Sequence, residues 1–420
     1  MRVQVAHPAE HGAIAMLPFR TPLSDWKMHN VHKVLGLHRH VVQLVELEGT
    51  SYVVKELPDH LAEREYRLLR EIDEAGLPTV EVVAVVTGRT EMNGMIITRH
   101  LDYSLPYRSL LMGRGLTIPY LGERLLDALV VLLVRIHLGG FFWGDCSLSN
   151  TLFRRDAGAL QAYIIDVETA EQHDVLTDGQ REFDLMIATD NVAGGLLDLQ
   201  AGGRLSADID PIEVALAIGD RYEALWAEIT SPLVTAIGDV HPIAQRLERL
   251  RDLGFDVEEL EIVTNADDVS VRVVPKVVEH GHHAEQLANL TGLQAGENQA
   301  RRMLDDIASY AAWLQAESDR PIPFNVAAVR WLDRVFEPVM AAIPEDMLNR
   351  LEPAEIFHHL LEHRWYMAER LGRDVTLEET LADYLTVLED APEERVQLDD
   401  KLDAEGRDPT GEIPLAPADG

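Results

Sequence analysis

The chain has one cysteine, Cys146, in 420 residues. No intrachain disulfide can form, and the composition fits a reducing compartment. Long apolar runs are missing too. The strongest, LLDALVVLLVRIHLGGFFW at 125–143, is broken by Asp127, Arg135 and His137, so it falls short of the roughly 20 apolar residues of a membrane span. The N-terminal MRVQVAHPAEHGAIAMLPFR lacks the charged-then-apolar layout of a secretory signal. A cytoplasmic protein without a membrane span is the expectation. Positive charge is scarce: 37 Lys and Arg stand against 72 Asp and Glu, for a net charge of −35. A general polyanion binder needs a basic footprint, so nucleic acid is not an expected partner.

The acidity is uneven. Residues 1–200 carry 27 acids and 18 bases, whereas residues 201–420 carry 45 and 19. Lysine is rarest of all, with only Lys27, Lys33, Lys55, Lys276 and Lys401 among the bases. Between positions 34 and 275 the one lysine is Lys55, in the middle of an apolar run, TSYVVKEL.

Periodicity divides what is present. Residues 1–33, with Pro8, Pro18 and Pro22, read as an extended entry segment. HVVQLVELEG and TSYVVKEL read as two strands around a turn. DHLAEREYRLLREIDEAG places Leu61, Tyr66, Leu69 and Ile72 near one helical face, with Gly76 as its stop. EVVAVVTG and MIITRHL read as strands around Asn93-Gly94. LGERLLDALVVLLVRIHLGG reads as a buried helix, and TLFRR and AYIIDVE as a strand pair after the loop FFWGDCSLSN. Beyond 200 the pattern is mostly helical, interrupted by one strand pair, VEELEIV and VSVRVVP. From about 391 the chain holds nine acids and three bases with Pro and Gly, a composition that predicts disorder.

The chemistry lies in an order of residues. A strand lysine, Lys55, precedes a helix with several glutamates; then come Asp145 and Asn150 in G-D-C-S-L-S-N, and Asp166 at the end of Y-I-I-D-V-E. Phosphoryl transfer from a metal-bound nucleotide needs such a set. It takes a cation on the phosphates, a carboxylate to hold that cation, an acid at the attacking hydroxyl, and oxygen ligands for Mg²⁺. Lys55 suits a point contact with phosphate. The five-residue step from Asp145 to Asn150 matches the catalytic-loop pattern D-x-x-x-x-N.

With these motifs, residues 34–200 resemble the protein-kinase-like superfamily, nearest in style to lipopolysaccharide-type sugar kinases and aminoglycoside- or choline-type phosphotransferases. The whole chain resembles a bacterial kinase-like family carrying only a domain-of-unknown-function (4032) label. The resemblance implies an α+β, bilobal, protein-kinase-like fold with a mostly helical C-terminal extension containing one β-hairpin. It implies an N-lobe at 34–102, a C-lobe core at 103–200, a helical domain at 201–390 and the acidic tail at 391–420. It also implies ATP and Mg²⁺, with Lys55 on the phosphates, Asp145 as catalytic base, and Asn150 and Asp166 on the metal. E-Y-R-L-L matches the family's E-x-x-L-L spacing and selects Glu65 as partner of Lys55, with Glu63 as the alternative.

This sequence departs from the pattern in several places. The glycine-rich loop is reduced to L-G-L-H-R-H, so phosphate cover falls to Gly36, His38, Arg39 and His40. Trp143 and Gly144 stand where regulated protein kinases have His and Arg, and Val-Glu follows Asp166. Only seventeen residues separate Asp166 from Asp184 in R-E-F-D-L, with no A-P-E between. So short a segment favours a small-molecule or sugar hydroxyl as acceptor. The alternative is a non-catalytic kinase-like module whose helical half binds a protein partner or a second copy.

Other motifs carry less. His359-Leu-Leu-Glu362-His363 spells a zinc-protease pattern, but the aromatics around it, Phe357, Trp365 and Tyr366, point to a packed interface helix. Glu279-His280-Gly281-His282-His283 reads as a helix-entry loop, and Cys146 as a small packed residue. A winged-helix reading of the region 241–290 would rest on Arg246, Arg249, Arg251 and Arg272, against the surrounding acidity.

Overall fold

Alternation along the first strands builds a sheet with two apolar faces, and each face takes a different cover. The computed structural model describes residues 1–27, 31–33, 40–106, 121–231, 233–236, 241–252, 255–264, 268–277, 281–318, 320–348, 351–373 and 375–388. Gly36, His38, Arg39 and the acidic tail lie outside them.

The first sheet is antiparallel, in the order β1 (Arg2–Val5), β5 (Val82–Thr87), β6 (Gly94–Arg99), β4 (Thr50–Leu57), β3 (Val41–Leu47), β2 (Val31–Lys33). On one face Leu57, Val82, Val85 and Ile96 pack against Ala62, Tyr66, Leu69 and Ile72 of α1 (Asp59–Glu74). On the other, Val45, Val54, Ala84 and Ile97 meet Ile14, Leu17, Phe19, Leu23 and Trp26. The first 27 residues are therefore no extended entry segment. They supply an edge strand, paired from Arg2↔Thr87 to Val5↔Ala84, and half of a core. The buried Arg89 guanidinium ties them down, donating to the carbonyls of Phe19 and Thr21 and to Glu56 beside Lys55.

The second lobe is built on α2 (Leu121–Leu138), whose Leu125, Leu129, Leu132, Leu133 and Ile136 are buried, as its nearly continuous apolar sequence requires. It packs against the strand Ala159–Ile164 and α4 (Pro211–Thr230), and α4 packs on α3 (Asp178–Ala201). Here β7 (Ser104–Pro106), β9 (Thr151–Asp156) and β10 (Ala159–Ile164) form a small sheet, and β8 (Phe141–Phe142) pairs with β11 (Glu171–Gln172). The lobes face each other across the ends of β4 and β10, giving the α+β, bilobal, kinase-like layout.

In the extension, the expected hairpin is β13 (Phe255–Thr264) and β14 (Asp268–Val277). A third strand, β12 (Leu233–Ala236), joins it along β14, and α5 (His241–Asp252) lies against β13. The remaining helices are α6 (His282–Thr291), α7 (Glu297–Ala316), α8 (Phe324–Trp331), α9 (Glu337–Ala342), α10 (Glu345–Leu348), α11 (Pro353–Leu371) and α12 (Leu377–Leu388). A π-turn at Leu332–Phe336 separates α8 from α9, where Pro338 has no N–H to continue the ladder. Trp331, Phe336 and Phe357 centre a separate core with Met303, Ile307 and Leu360. Phe357 of the H-x-x-E-H helix is thus packed, while Trp365 and Tyr366 are exposed.

Candidate active site

Lys55 shares the α1-facing side of β4 with Leu57, because side chains alternate along a strand. Its ammonium donates to Glu65 Oε2 at 3.1 Å and to Asp166 Oδ2 at 2.9 Å, and lies 3.8 Å from Glu168 Oε2. Glu65 points inward from α1 and is 2% exposed, whereas Glu63 is exposed. The structure thus pairs Lys55 with Glu65. One cation serves three carboxylates here. Burial alone would lower the Lys55 pKa, but Glu65 and Asp166 together hold it above its ordinary value. Glu65 is pushed up to about 7 by burial, which outweighs its share of Lys55, with Asp166 adding repulsion.

Asp145 stands on the loop after β8. Its Oδ2 accepts from Asn150 Nδ2 at 2.9 Å and its Oδ1 from Asn191 Nδ2 at 3.1 Å. Burial, then the charge of Asp166, raises its pKa. Asn150 Nδ2 also donates to the Asp145 carbonyl, leaving Oδ1 as the amide's acceptor. The Asn150 carbonyl accepts the N–H of Ile165 at 3.3 Å, which places Asn150 beside the strand end that carries Asp166.

The loop is held from behind. Asp184, fully buried, accepts the backbone N–H groups of Trp143 at 2.7 Å and Gly144 at 2.8 Å, and its Oδ2 lies 3.0 Å from His137 Nε2. His137 Nδ1 in turn meets the Tyr222 hydroxyl at 2.7 Å. Trp143 Nε1 donates to the Asp166 carbonyl, tying the loop to the end of β10. Gly144 has φ +75°, a conformation that disfavours the Arg of the family pattern.

Of the phosphate-cover residues only His40 is described, with Nε2 at 3.2 Å from Glu168 Oε2. Glu168, Asn191, Asp184 and His137 were not singled out as site residues by the sequence. Glu168 is the last letter of D-V-E, and its acid was the visible signal. Asn191, forty-six residues past Asp145, gave none. The zinc-like motif does not converge: His359 Nε2 turns to Glu355 at 3.1 Å and His363 Nε2 to Asp383 at 2.7 Å. Arg246 caps the carbonyls of Glu228 and Ser231, and Arg249 pairs with Glu228, so neither presents a free basic surface. Glu10, His11 and Glu81 lie close enough to share a cation, but the two His11 ring nitrogens already face Tyr52 and Glu81.

Hard oxygen donors crowd this cleft. Among the described residues, the carboxyls of Glu65, Asp145, Asp166 and Glu168 outnumber the one ammonium, Lys55, and Asn150 offers a neutral amide oxygen beside them. This donor set fits Mg²⁺.

Residues 26–187 match the model of the lipopolysaccharide kinase (Kdo/WaaP) family. Residues 224–388 match a domain of unknown function, DUF4032. Among solved structures, one titled "WaaP in complex with acyl carrier protein" is similar at 19% identity and a TM-score of 0.38, over 60% of this chain and 99% of that chain. No curated protein matches the sequence. Residues 26–187 are thus similar to the lipopolysaccharide kinase family, and the domain-of-unknown-function resemblance expected of the whole chain is matched over residues 224–388.

Proposed function

We propose that the protein is an ATP- and Mg²⁺-dependent phosphotransferase whose acceptor is a hydroxyl of a small molecule or sugar. The observation that carries this reading is Lys55 held between Glu65 and Asp166, with Asp145 near enough to Asp166 for the two charges to repel.

Lys55 holds the α- and β-phosphates, and Glu65 fixes its direction from α1. Asn150 Oδ1 and the Asp166 carboxylate would hold Mg²⁺, which supplies charge neutralisation on the transferring phosphate. Asp145 orients the acceptor hydroxyl. As the acceptor oxygen bonds to the γ-phosphorus, the bond to the β–γ bridging oxygen breaks and ADP leaves; the hydroxyl proton passes to Asp145. The raised pKa of Asp145 makes it a better base than an exposed aspartate, while the amides of Asn150 and Asn191 fix its plane. His40, whose Nε2 lies 3.2 Å from Glu168 Oε2, shields the phosphates.

The test is ATP turnover, followed as phosphate or ADP release, in the intact chain and in Asp145→Asn. Loss of the base predicts a fall of about 10²–10⁴-fold in turnover with nucleotide affinity kept. Equal turnover in the two proteins would sink the reading. Tight nucleotide binding without any transfer would favour the non-catalytic alternative.

A further inference from the structure

The hairpin β9–β10 joins the two residues assigned to the metal. β9 starts immediately after Asn150, and β10 ends two residues before Asp166. Six residue pairs link the strands, from Thr151↔Ile164 at the cleft to Asp156↔Ala159 at the far end. At about 3.4 Å per residue the ladder itself spans some 17 Å between the turn and its open end.

That turn is embedded in the helical domain. Ala157 and Gly158 both have positive φ, +56° and +76°. This suits a two-residue turn, though Ala takes it with strain. The Glu355 carboxylate of α11 accepts both of their N–H groups, at 2.9 and 2.8 Å. Asp156, 1% exposed, accepts the first free N–H groups of α7, from Asn298 at 3.0 Å and Gln299 at 2.8 Å. Any side chain at Gly296 would collide with it, since a Cβ there would lie 2.6 Å from Asp156 Oδ1. Gln299 Nε2 bridges Glu355 and the Arg155 carbonyl. Arg154 pairs through two nitrogens with Glu352. Three buried polar side chains of the helical domain, Gln299, Glu352 and Glu355, are thus directed at one hairpin of the other domain, each with a matched partner.

We infer that the helical domain is a clamp on the β9–β10 turn, and that Glu352 and Glu355 are positioning residues which set the spacing of Asn150 and Asp166 for the metal. A six-pair ladder transmits tilt or shear at its turn to its open end, because its cross-strand hydrogen bonds leave little slack. The inference rests on the metal-site reading above and gives the second half of the chain a part in the same site.

The test uses the full chain, with Mn²⁺ as an electron-spin-resonance probe and a non-hydrolysable ATP analogue. Three variants loosen the clamp: Arg154→Glu, Glu352→Arg and the isosteric Glu355→Gln. The last keeps the fold if the charge reversals do not, since it only turns one acceptor of the Ala157–Gly158 amides into a donor. Their amide exchange should quicken over 151–164, and Mn²⁺ affinity should fall about tenfold, the lower end of what outer supports of a metal site give. Binding of the analogue in EDTA should not change, which separates lost positioning from general damage. The double variant R154E/E352R should recover Mn²⁺ affinity to within about threefold. Faster exchange with unchanged Mn²⁺ affinity overturns the clamp and leaves the metal site standing. Failure of the unaltered chain to bind Mn²⁺ with the analogue overturns the metal-site reading, and the clamp with it.

Discussion

At the residue scale, the site is governed by one ammonium shared among acids. Lys55 was legible because the chain otherwise writes its positive charge as arginine, and Glu65 because E-Y-R-L-L matches the E-x-x-L-L spacing of the family it resembles; the structure adds that Glu65 lies on the buried face of α1. Glu168 and Asn191 were less so. An acid two residues past Asp166, or an amide on a distant helix, acquires its contacts only when the chain folds it onto a partner. The shared ammonium also predicts a pH dependence. Glu65 takes up a proton at about 7, so below that pH Lys55 loses one of its two closest anchors. Nucleotide affinity should fall as pH drops from 8 to 6, and Glu65→Gln should flatten the profile; isothermal titration across that range checks it. The sign for stability is opposite. A carboxyl whose folded pKa is raised binds its proton more tightly in the folded state. Its contribution to stability is therefore greatest at low pH and declines as pH rises from the ordinary 4.5 toward 7. Glu65→Gln should remove that decline in denaturant titrations.

At the element scale, strands and helices with a clear period were readable, and those that break a local rule were not. The first 27 residues contain three prolines and short 3₁₀ turns in place of a period, so their burial against the sheet follows only from tertiary contact. Helix α3 has Gly194-Gly195 in its interior, a pair that reads as a break. The structure gives Gly195 a reason: a Cβ there would lie 2.7 Å from Leu148 Cδ1. Leu148 is buried two residues before Asn150, so this helix supports the loop of Asp145 and Asn150 by close approach. Gly195→Ala should gain helix propensity and still destabilise the fold by about 1–3 kcal/mol through overpacking. It should also slow turnover by displacing the loop. Thermal unfolding and turnover measured on the same variant would test both, and a more stable, fully active variant would refute the packing argument.

At the scale of the whole molecule, the net charge resolves into unlike halves. The strongly acidic second half is not a solvated appendage throughout. It directs Glu352 and Glu355 into the other domain, where they meet Arg154 and the backbone N–H groups of a turn. This contact could not be read from sequence, since its partners are about two hundred residues apart and their charges look like the rest of an acidic surface. The order Lys55, Glu65, Asp145, Asn150, Asp166 did survive folding as one cleft, and that cleft is the central claim. Its most direct measurement is isothermal titration of ATP into the full chain, with Mg²⁺ and then with EDTA, repeated for Asp166→Asn. The account predicts saturable binding strengthened by Mg²⁺ in the unaltered chain, and loss of the Mg²⁺-dependent part in Asp166→Asn. No binding, or binding indifferent to Mg²⁺ and to Asp166, would contradict it.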